Sequence, residues 1–345
     1  MELGIGMFGD MAYDFQTKKY QRASSRLKEI VEEVKLADEL GMDIFAMGEH
    51  HREDYAVAAP EIILAALATV TKNIKLSSGV NVISSADPVK LYQDYATVDL
   101  LSGGRAEIMA GRGSFIESFP VFGYDLNDYN ELFSEKLDML LQLVENKPLT
   151  WEGKFRSPAN NLIVYPQPER KIPVSIAVGG TPSSVQRAAE LGVPIVFAII
   201  GGNPAQFKPL MDYYKKEYEA QGHDMDSMKI GIHSHTFVNE SMDELMNDYF
   251  PRYAHSMNKI GRERGWRGSF TPESFKAGMG PHGALYMGSA DEVTEKLINT
   301  LEMFDIQQYI AHIDIGGPTH LQNMKNIELL GEKVFPAVKK HFAAK

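Results

Sequence analysis

Two adjacent histidines between acidic residues are the first candidates for chemistry. The stretch AMGEHHREDY places His50 and His51 between Glu49 and Glu53, directly after a short apolar run. Imidazole groups exchange protons near neutral pH, and imidazole and carboxylate groups both bind metal ions. Neighbouring side chains on an extended segment point to opposite sides, so the two histidines cannot both face one ligand. The stretch predicts one acid–base histidine, one metal ligand, or two histidines that bind only loop backbone.

A second pair of histidines keeps a metal site open. His233 and His235 in IHSHTF are two residues apart and share one face of a predicted strand. With His50 and a carboxylate they would form the ligand set of a metal-dependent barrel hydrolase. The chain contains no cysteine, which excludes disulfides, thiolate ligands and cysteine nucleophiles.

Two glycine-rich stretches predict an anion site. In VGGTPSSVQRAAELG a strand ends at Gly179–Gly180 and a helix begins at Thr181. The free N–H groups and the positive end of the helix dipole attract anions, phosphate above all, and Thr181, Ser183 and Ser184 add hydroxyl donors. Arg112 in AGRGSF adds a bidentate donor. The alternatives are that Thr181 only caps the helix and that Arg112 forms a surface ion pair.

Eight short apolar segments must position these residues, and they alternate with amphipathic helical segments. Near-continuous apolar strands separated by helices favour a parallel sheet covered on both faces. Eight such units predict an α/β protein with a single (β/α)8 TIM barrel. The alternative, an open doubly wound sheet, lacks the Gly-x-Gly-x-x-Gly pattern after the first strand. The predicted strands are Leu3–Phe8, Asp43–Met47, Ile74–Val82, Arg105–Ala110, Pro173–Val178, Pro194–Ile200, Lys229–Val238 and Gln308–Ile315.

The length of the chain exceeds what a minimal barrel needs. A barrel of this kind takes about 250 residues, and the chain has 345. We therefore expect one domain over residues 1–345, with insertions near 150–171, 203–228 and 261–283. The last of these is polar and rich in glycine, and we expect it to act as a lid.

The composition excludes several classes of partner. The net charge is −11 and no block of lysines and arginines occurs, so neither nucleic acid nor an anionic membrane is expected to bind. The N-terminus MELGIGMFGD has no signal-peptide pattern, and the longest apolar run, VPIVFAII, is too short to span a bilayer. We expect a cytoplasmic protein.

The strand ends together resemble the bacterial luciferase-like flavin-dependent monooxygenases, the LLM class oxidoreductases. The resemblance rests on the histidine stretch, on LSGGRAEIMAGRG and on IPVSIAVGGTPSSVQRAAELGVPIVFAIIGG, in one order along the chain. It implies a (β/α)8 barrel that binds FMN, or a deazaflavin in some branches, at the mouth formed by the C-terminal strand ends. It also implies a homodimer.

The resemblance further implies roles for individual residues. His50 corresponds to the histidine next to the flavin, and Gly79–Val80 to a cis peptide bond under the flavin ring. Two departures are Gly111, where luciferases carry a reactive cysteine, and Gly179–Gly180, where they carry a glutamate and a serine. The residues expected to bind the cofactor are Phe8, Gly79, Val80, Asn81, Arg112, Gly113, Gly179, Gly180, Thr181, Ser183, Ala198 and Ile199.

The activity implied by the resemblance is that of an FMN-dependent oxidoreductase of the two-component monooxygenase type. A separate flavin reductase would supply reduced FMN, and oxygen would react with a small organic substrate that the sequence does not identify. His50 would be the catalytic acid–base group, and no metal would be needed. A deazaflavin is a less favoured cofactor. The alternatives are the metal-dependent hydrolase and a flavin-binding protein of the same fold without catalysis.

Overall fold

Eight parallel strands form a closed barrel in the computed structural model, which describes residues 1–113, 116–266 and 268–344. Each strand pairs with the next along the chain, and the last pairs with the first. The prediction of a (β/α)8 TIM barrel is therefore confirmed. The strands are β1 (Glu2–Met7), β2 (Ile44–Met47), β3 (Lys75–Ser78), β4 (Ala106–Gly111), β5 (Val174–Val178), β6 (Ile195–Ala198), β7 (Ile230–Val238) and β8 (Gln308–His312).

Helices surround the barrel and cover its outer face. No helix in the described part of the chain is both long and apolar enough to cross a membrane. The helices are α1 (Ala23–Glu39), α2 (Pro60–Ala68), α3 (Pro88–Ser102), α4 (Ser118–Phe122), α5 (Tyr129–Leu143), α6 (Pro182–Glu190), α7 (Lys208–Ala220), α8 (Met242–Glu244), α9 (Phe250–Glu263), α10 (Pro272–Met279), α11 (Ala290–Phe304), α12 (His320–Leu329) and α13 (Phe335–Ala343).

Local sequence signals set the ends of these elements. The Asp87 carboxylate accepts the backbone N–H groups of Val89 and Lys90, which caps α3 at its start. The same helix ends at Gly103, whose φ of 68° is a left-handed conformation that favours glycine. All nine residues of β7 are buried, as expected for a barrel strand covered on both faces.

The three segments expected as insertions differ in structure. Residues 150–171 contribute most of a hairpin, Leu149–Trp151 with Ala159–Leu162, whose turn is held by the Glu135 carboxylate of α5. Residues 203–228 contain α7, the helix that connects β6 to β7 in the ordinary barrel pattern. Residues 261–283 contain the end of α9 and all of α10, and position 267 lies outside the described residues. The lid role of this segment stays a prediction.

A buried ion network joins the first and last barrel units. The Arg26 guanidinium of α1 donates to Glu33 at 2.9 and 3.0 Å and lies 3.4 Å from the Asp314 carboxylate. Asp314 also accepts the backbone N–H groups of residues 8, 9 and 10 at the end of β1. Burial favours a raised pKa of Asp314, but His312, Arg26 and these donors hold the pKa below its usual value.

The network predicts a large effect of removing its cation. Arg26→Met leaves two buried carboxylates without their partner, so we expect the free energy of unfolding to fall by about 3–5 kcal/mol in urea denaturation. The exposed Arg22→Met serves as the control and should change stability by less than about 0.5 kcal/mol. A loss no larger than that of the control would show that the network does not stabilise the fold.

Candidate active site

A cavity of about 250 Å³ lies at the mouth of the barrel. It is lined from the C-terminal ends of β1 to β7, where function is concentrated in barrels of this type. Nine of the thirteen predicted site residues line it: Phe8, His50, Gly79, Val80, Arg112, Gly113, Gly179, Thr181 and Ala198. The other lining residues are Glu49, Met109, Gly111, Tyr129, Ala177, Val178, Val196 and His233.

The other four predicted residues do not line the cavity. Asn81 is buried beside it and accepts a hydrogen bond from the Tyr95 hydroxyl at 2.6 Å. Ile199 is fully buried in the main hydrophobic core, because it points away from the face that Ala198 presents. Gly180 adopts a φ of 105° and Ser183 is exposed at the start of α6, and neither lines the cavity.

Glycines form part of the cavity floor where side chains would collide. The Gly79–Val80 peptide bond is cis, as the resemblance implied. A Cβ atom at position 79 would lie 2.8 Å from the Cβ of Ala46, and one at Gly111 would lie 2.6 Å from a methyl group of Val80. A side chain at position 111 would therefore collide with Val80 unless Val80 moved.

The Glu49 carboxylate holds the wall of the cavity rather than reacting. It accepts the Val82 backbone N–H at 2.8 Å, the Asn81 side-chain amide at 3.3 Å and a hydrogen bond from His51 at 2.9 Å. The hydrogen bond to Glu49 raises the pKa of His51. Glu49 and His51 thus support the loop, and of the two adjacent histidines His50 is the one that lines the cavity.

His50 lies between two aromatic rings and one carboxylate. Its ring stacks on Tyr55 at a centroid distance of 4.3 Å and lies 4.8 Å from the Phe8 ring. Its Nδ1 atom is 3.4 Å from Oε1 of Glu117. Burial lowers the pKa of His50, and Glu117 offsets part of that effect. At neutral pH the imidazole is therefore a neutral group able to accept a proton.

The opposite end of the cavity is built to receive an anion. Arg112 donates to the Ser184 hydroxyl and to the Asn130 side-chain oxygen, both at 3.0 Å. The Thr181 side chain makes no capping hydrogen bond to α6, so the alternative that it only caps the helix is not supported. A Cβ atom built on Gly179 meets no atom within 4 Å, which leaves space for a ligand against the helix start.

A second guanidinium, that of Arg187, lies near Arg112 and was not predicted from the sequence. Arg187 lies on α6, three residues after Ser184 and on the same face of the helix. Burial and the positive charge of Arg112 lower the pKa of Arg187, whereas Asp138 and Glu190 raise it. Arg187 lies beside the cavity and does not line it. The i, i+3 spacing from Ser184 was a signal that could have identified it.

The structure separates the histidines of the proposed metal site. His233 lines the cavity, whereas Nδ1 of His235 binds the Tyr253 hydroxyl at 2.9 Å. Within the described ranges, His50, His233 and His235 are not among the groups whose ligand atoms lie close enough to hold one ion. One such group, Asp10, His312 and Asp314, has the Arg26 cation against it. The metal-dependent hydrolase is therefore not supported.

Comparison with known proteins decides the family. Residues 7–304 match the family model of the luciferase-like monooxygenases. The chain belongs to this family. The family resemblance inferred from the strand ends is thereby confirmed over most of this chain.

Relatives and solved structures show the range of chemistry around this chain. The oxygenase component of the flavin-dependent trigonelline monooxygenase of Acinetobacter baylyi is 24% identical and covers 90% of this chain and 89% of its own. The oxygenating constituent of 3,6-diketocamphane monooxygenase from Pseudomonas putida, in complex with FMN, superposes with a TM-score of 0.77 at 18% identity, covering 98% of both chains. The coenzyme F420 dependent tetrahydromethanopterin reductase of Methanopyrus kandleri superposes at 0.71 and 18% identity, covering 97% and 98%.

The buried His233 predicts a specific dependence of stability on pH. Burial lowers the pKa of His233 to about 3, whereas an unfolded histidine has a pKa of about 6.5. Between these values the unfolded chain binds a proton that the folded chain does not, so stability falls as the pH falls, by about 1.4 kcal/mol per pH unit for one full proton.

His233→Gln should reduce this slope by the contribution of one proton, measured by urea unfolding between pH 6 and pH 4. The exposed His282→Gln is the matched control and should keep the wild-type slope. An unchanged slope in His233→Gln would mean that His233 takes up its proton in the folded protein.

Proposed function

We propose that this chain is the oxygenase component of a two-component flavin-dependent monooxygenase. It would take reduced FMN from a separate flavin reductase and use oxygen to oxidise a small organic substrate. One observation carries the proposal: a single cavity joins an apolar floor to an anion site at Arg112, and Arg187 lies beside that site. That combination matches a flat ring system attached to a phosphate. The trigonelline monooxygenase relative, named as an oxygenase component, supports the two-component arrangement.

The residues present fit FMN at both ends of the cavity. Arg112, Arg187, the Ser184 hydroxyl and the first turn of α6 would hold the phosphate. The floor at Gly79–Val80 and the apolar side chains of the lower wall would receive the ring. Those side chains are Met109, Ala177, Val196 and Ala198. When bound, reduced FMN supplies the electrons with which oxygen is activated.

The chain itself would bind, orient and exclude water. The apolar floor keeps water from the reacting atoms, which matters because water promotes unproductive loss of activated oxygen. His50, neutral at pH 7 and at the cavity edge, would accept or return a proton there. Glu49 would keep this wall in place through its three hydrogen bonds.

A deazaflavin is the second candidate, favoured by the similarity to an F420-dependent reductase. Its phosphate would suit the same guanidinium groups, so binding of each cofactor must be compared directly. Titration of the protein with reduced FMN and with reduced F420 under exclusion of oxygen should give tighter binding of FMN. Tighter binding of F420 would replace the proposed cofactor, and binding of oxidised FMN without any reductase-coupled oxygen use would indicate a flavin carrier.

The phosphate contact gives the first mutational prediction. Arg112→Ala should weaken FMN binding by about 10- to 100-fold, because a hydrogen-bonded charge is worth about 1.5–3 kcal/mol. Riboflavin, which lacks the phosphate, should lose much less affinity. Flavin fluorescence titration measures both ligands, with the exposed Arg22→Ala as control. Equal loss of affinity for FMN and riboflavin would contradict a phosphate role for Arg112.

The His50 imidazole gives the second mutational prediction. His50→Asn should bind FMN almost as the wild type does, because His50 lies away from the anion end. The rate at which oxygen reoxidises bound reduced FMN should change by on the order of 100-fold, as for the loss of an acid–base group. Stopped-flow absorbance and peroxide assays measure this, with His282→Asn as control. An unchanged rate and peroxide yield would refute the catalytic role.

A further inference from the structure

The Glu117 carboxylate lies next to His50, on the side away from the main cavity. Glu117 immediately precedes α4, and its Oε1 lies 3.4 Å from Nδ1 of His50. Its side chain is 19% exposed, whereas that of His50 is 7% exposed. Glu117 therefore touches both the buried imidazole and solvent.

A small space adjoins this pair. It measures about 10 Å³, close to the volume that one water needs. It shares Glu49, His50 and Gly113 with the main cavity, and Glu117 and Ser118 line its other side. The Ser118 hydroxyl is buried and has no hydrogen-bond partner among the described residues. A polar lining of this kind favours one bound water beside the imidazole and the carboxylate.

The other charged groups near His50 disfavour protonation of its ring. Arg52, from the loop after β2, and His312, from β8, both lower the pKa of His50 through their own charge. Tyr55 from the same loop stacks on it, and Arg264 from the end of α9 lies near Glu117. Among the neighbours that act most strongly on His50, Glu117 is the one that favours the protonated ring.

Glu49 is not the carboxylate that favours protonation of His50, although it is next to His50 in the sequence. One of its oxygens accepts the hydrogen bond from His51, and the other accepts from the Val82 N–H and the Asn81 amide. Burial would raise the pKa of Glu117, but its hydrogen bond to His50 and its own backbone donor keep the pKa below the usual value. Glu117 is therefore a carboxylate at neutral pH.

We propose that Glu117 is a positioning residue for His50 and the route by which the His50 proton reaches solvent. Once the other ring nitrogen has accepted a proton and the ring is an imidazolium, the N–H bond at Nδ1 breaks and an O–H bond forms on Glu117, directly or through a water in the small space, which leaves a neutral imidazole. Glu117 then gives the proton to bulk water and becomes a carboxylate again. Protons enter by the reverse path, so the cavity mouth can stay closed to water while His50 is reset. The use of this proton in catalysis rests on the proposed function.

The first test needs no flavin. In protein without cofactor, NMR titration of the His50 ring should show its pKa lowered by about one unit in Glu117→Gln, because a neighbouring opposite charge shifts a pKa by that order. Glu117→Asp keeps the charge and should restore part of the shift. Glu244→Gln, which removes a surface carboxylate bound to Lys325, is the matched control. A His50 titration in Glu117→Gln equal to that of the control overturns the proposal.

The second test measures proton transfer. In Glu117→Gln the oxygen reaction of bound reduced FMN should slow, its pH profile should move to lower pH, and formate should restore the rate by carrying the proton. Loss of rate without rescue and without a pH shift would indicate a merely structural role and overturn the relay. If FMN does not bind at all, the proposed function fails, yet the NMR titration still decides whether Glu117 controls the proton of His50.

Discussion

The Asp314 carboxylate is the contact on which the geometry of the mouth depends. It accepts three consecutive backbone N–H groups at the end of β1 and lies against the buried Arg26. This fixes Phe8, whose ring contacts His50, His233 and His312. The position of the His50 imidazole thus depends on a carboxylate that follows the last strand of the barrel. Barrel closure makes such a contact between distant parts of the chain available.

The mouth of the barrel brings together an apolar surface, a positive charge and a buried imidazole. An apolar floor, the Arg112 guanidinium and the His50 imidazole line one cavity of about 250 Å³, and Arg187 lies beside its Arg112 end. Burial makes the imidazole a proton acceptor at neutral pH, and burial together with the charge of Arg112 lowers the pKa of Arg187. A ligand with a flat apolar ring and a phosphate satisfies all three. Membership of the luciferase-like monooxygenase family agrees with such a ligand.

Features encoded locally were predictable, and long-range contacts were not. The eight strands follow from short apolar runs, and the glycines and Arg112 from their places at strand ends. Ile199 was misplaced because a shift of one residue moves a side chain to the other face of a strand. Glu117 reaches His50 across 67 positions of sequence, and no local pattern reports such a contact. The segment 203–228 contains α7, the helix between β6 and β7, and the sequence pattern does not distinguish a barrel helix from an inserted one.

A crystal structure of the protein with FMN tests the proposed flavin site most directly. We expect the phosphate between Arg112, Arg187 and the start of α6, the ring across Gly79–Val80, and His50 at the edge of the ring. Density for the phosphate at this helix and for the ring in the same cavity would establish the site. FMN bound elsewhere, or bound here with its phosphate away from both guanidinium groups, would contradict it.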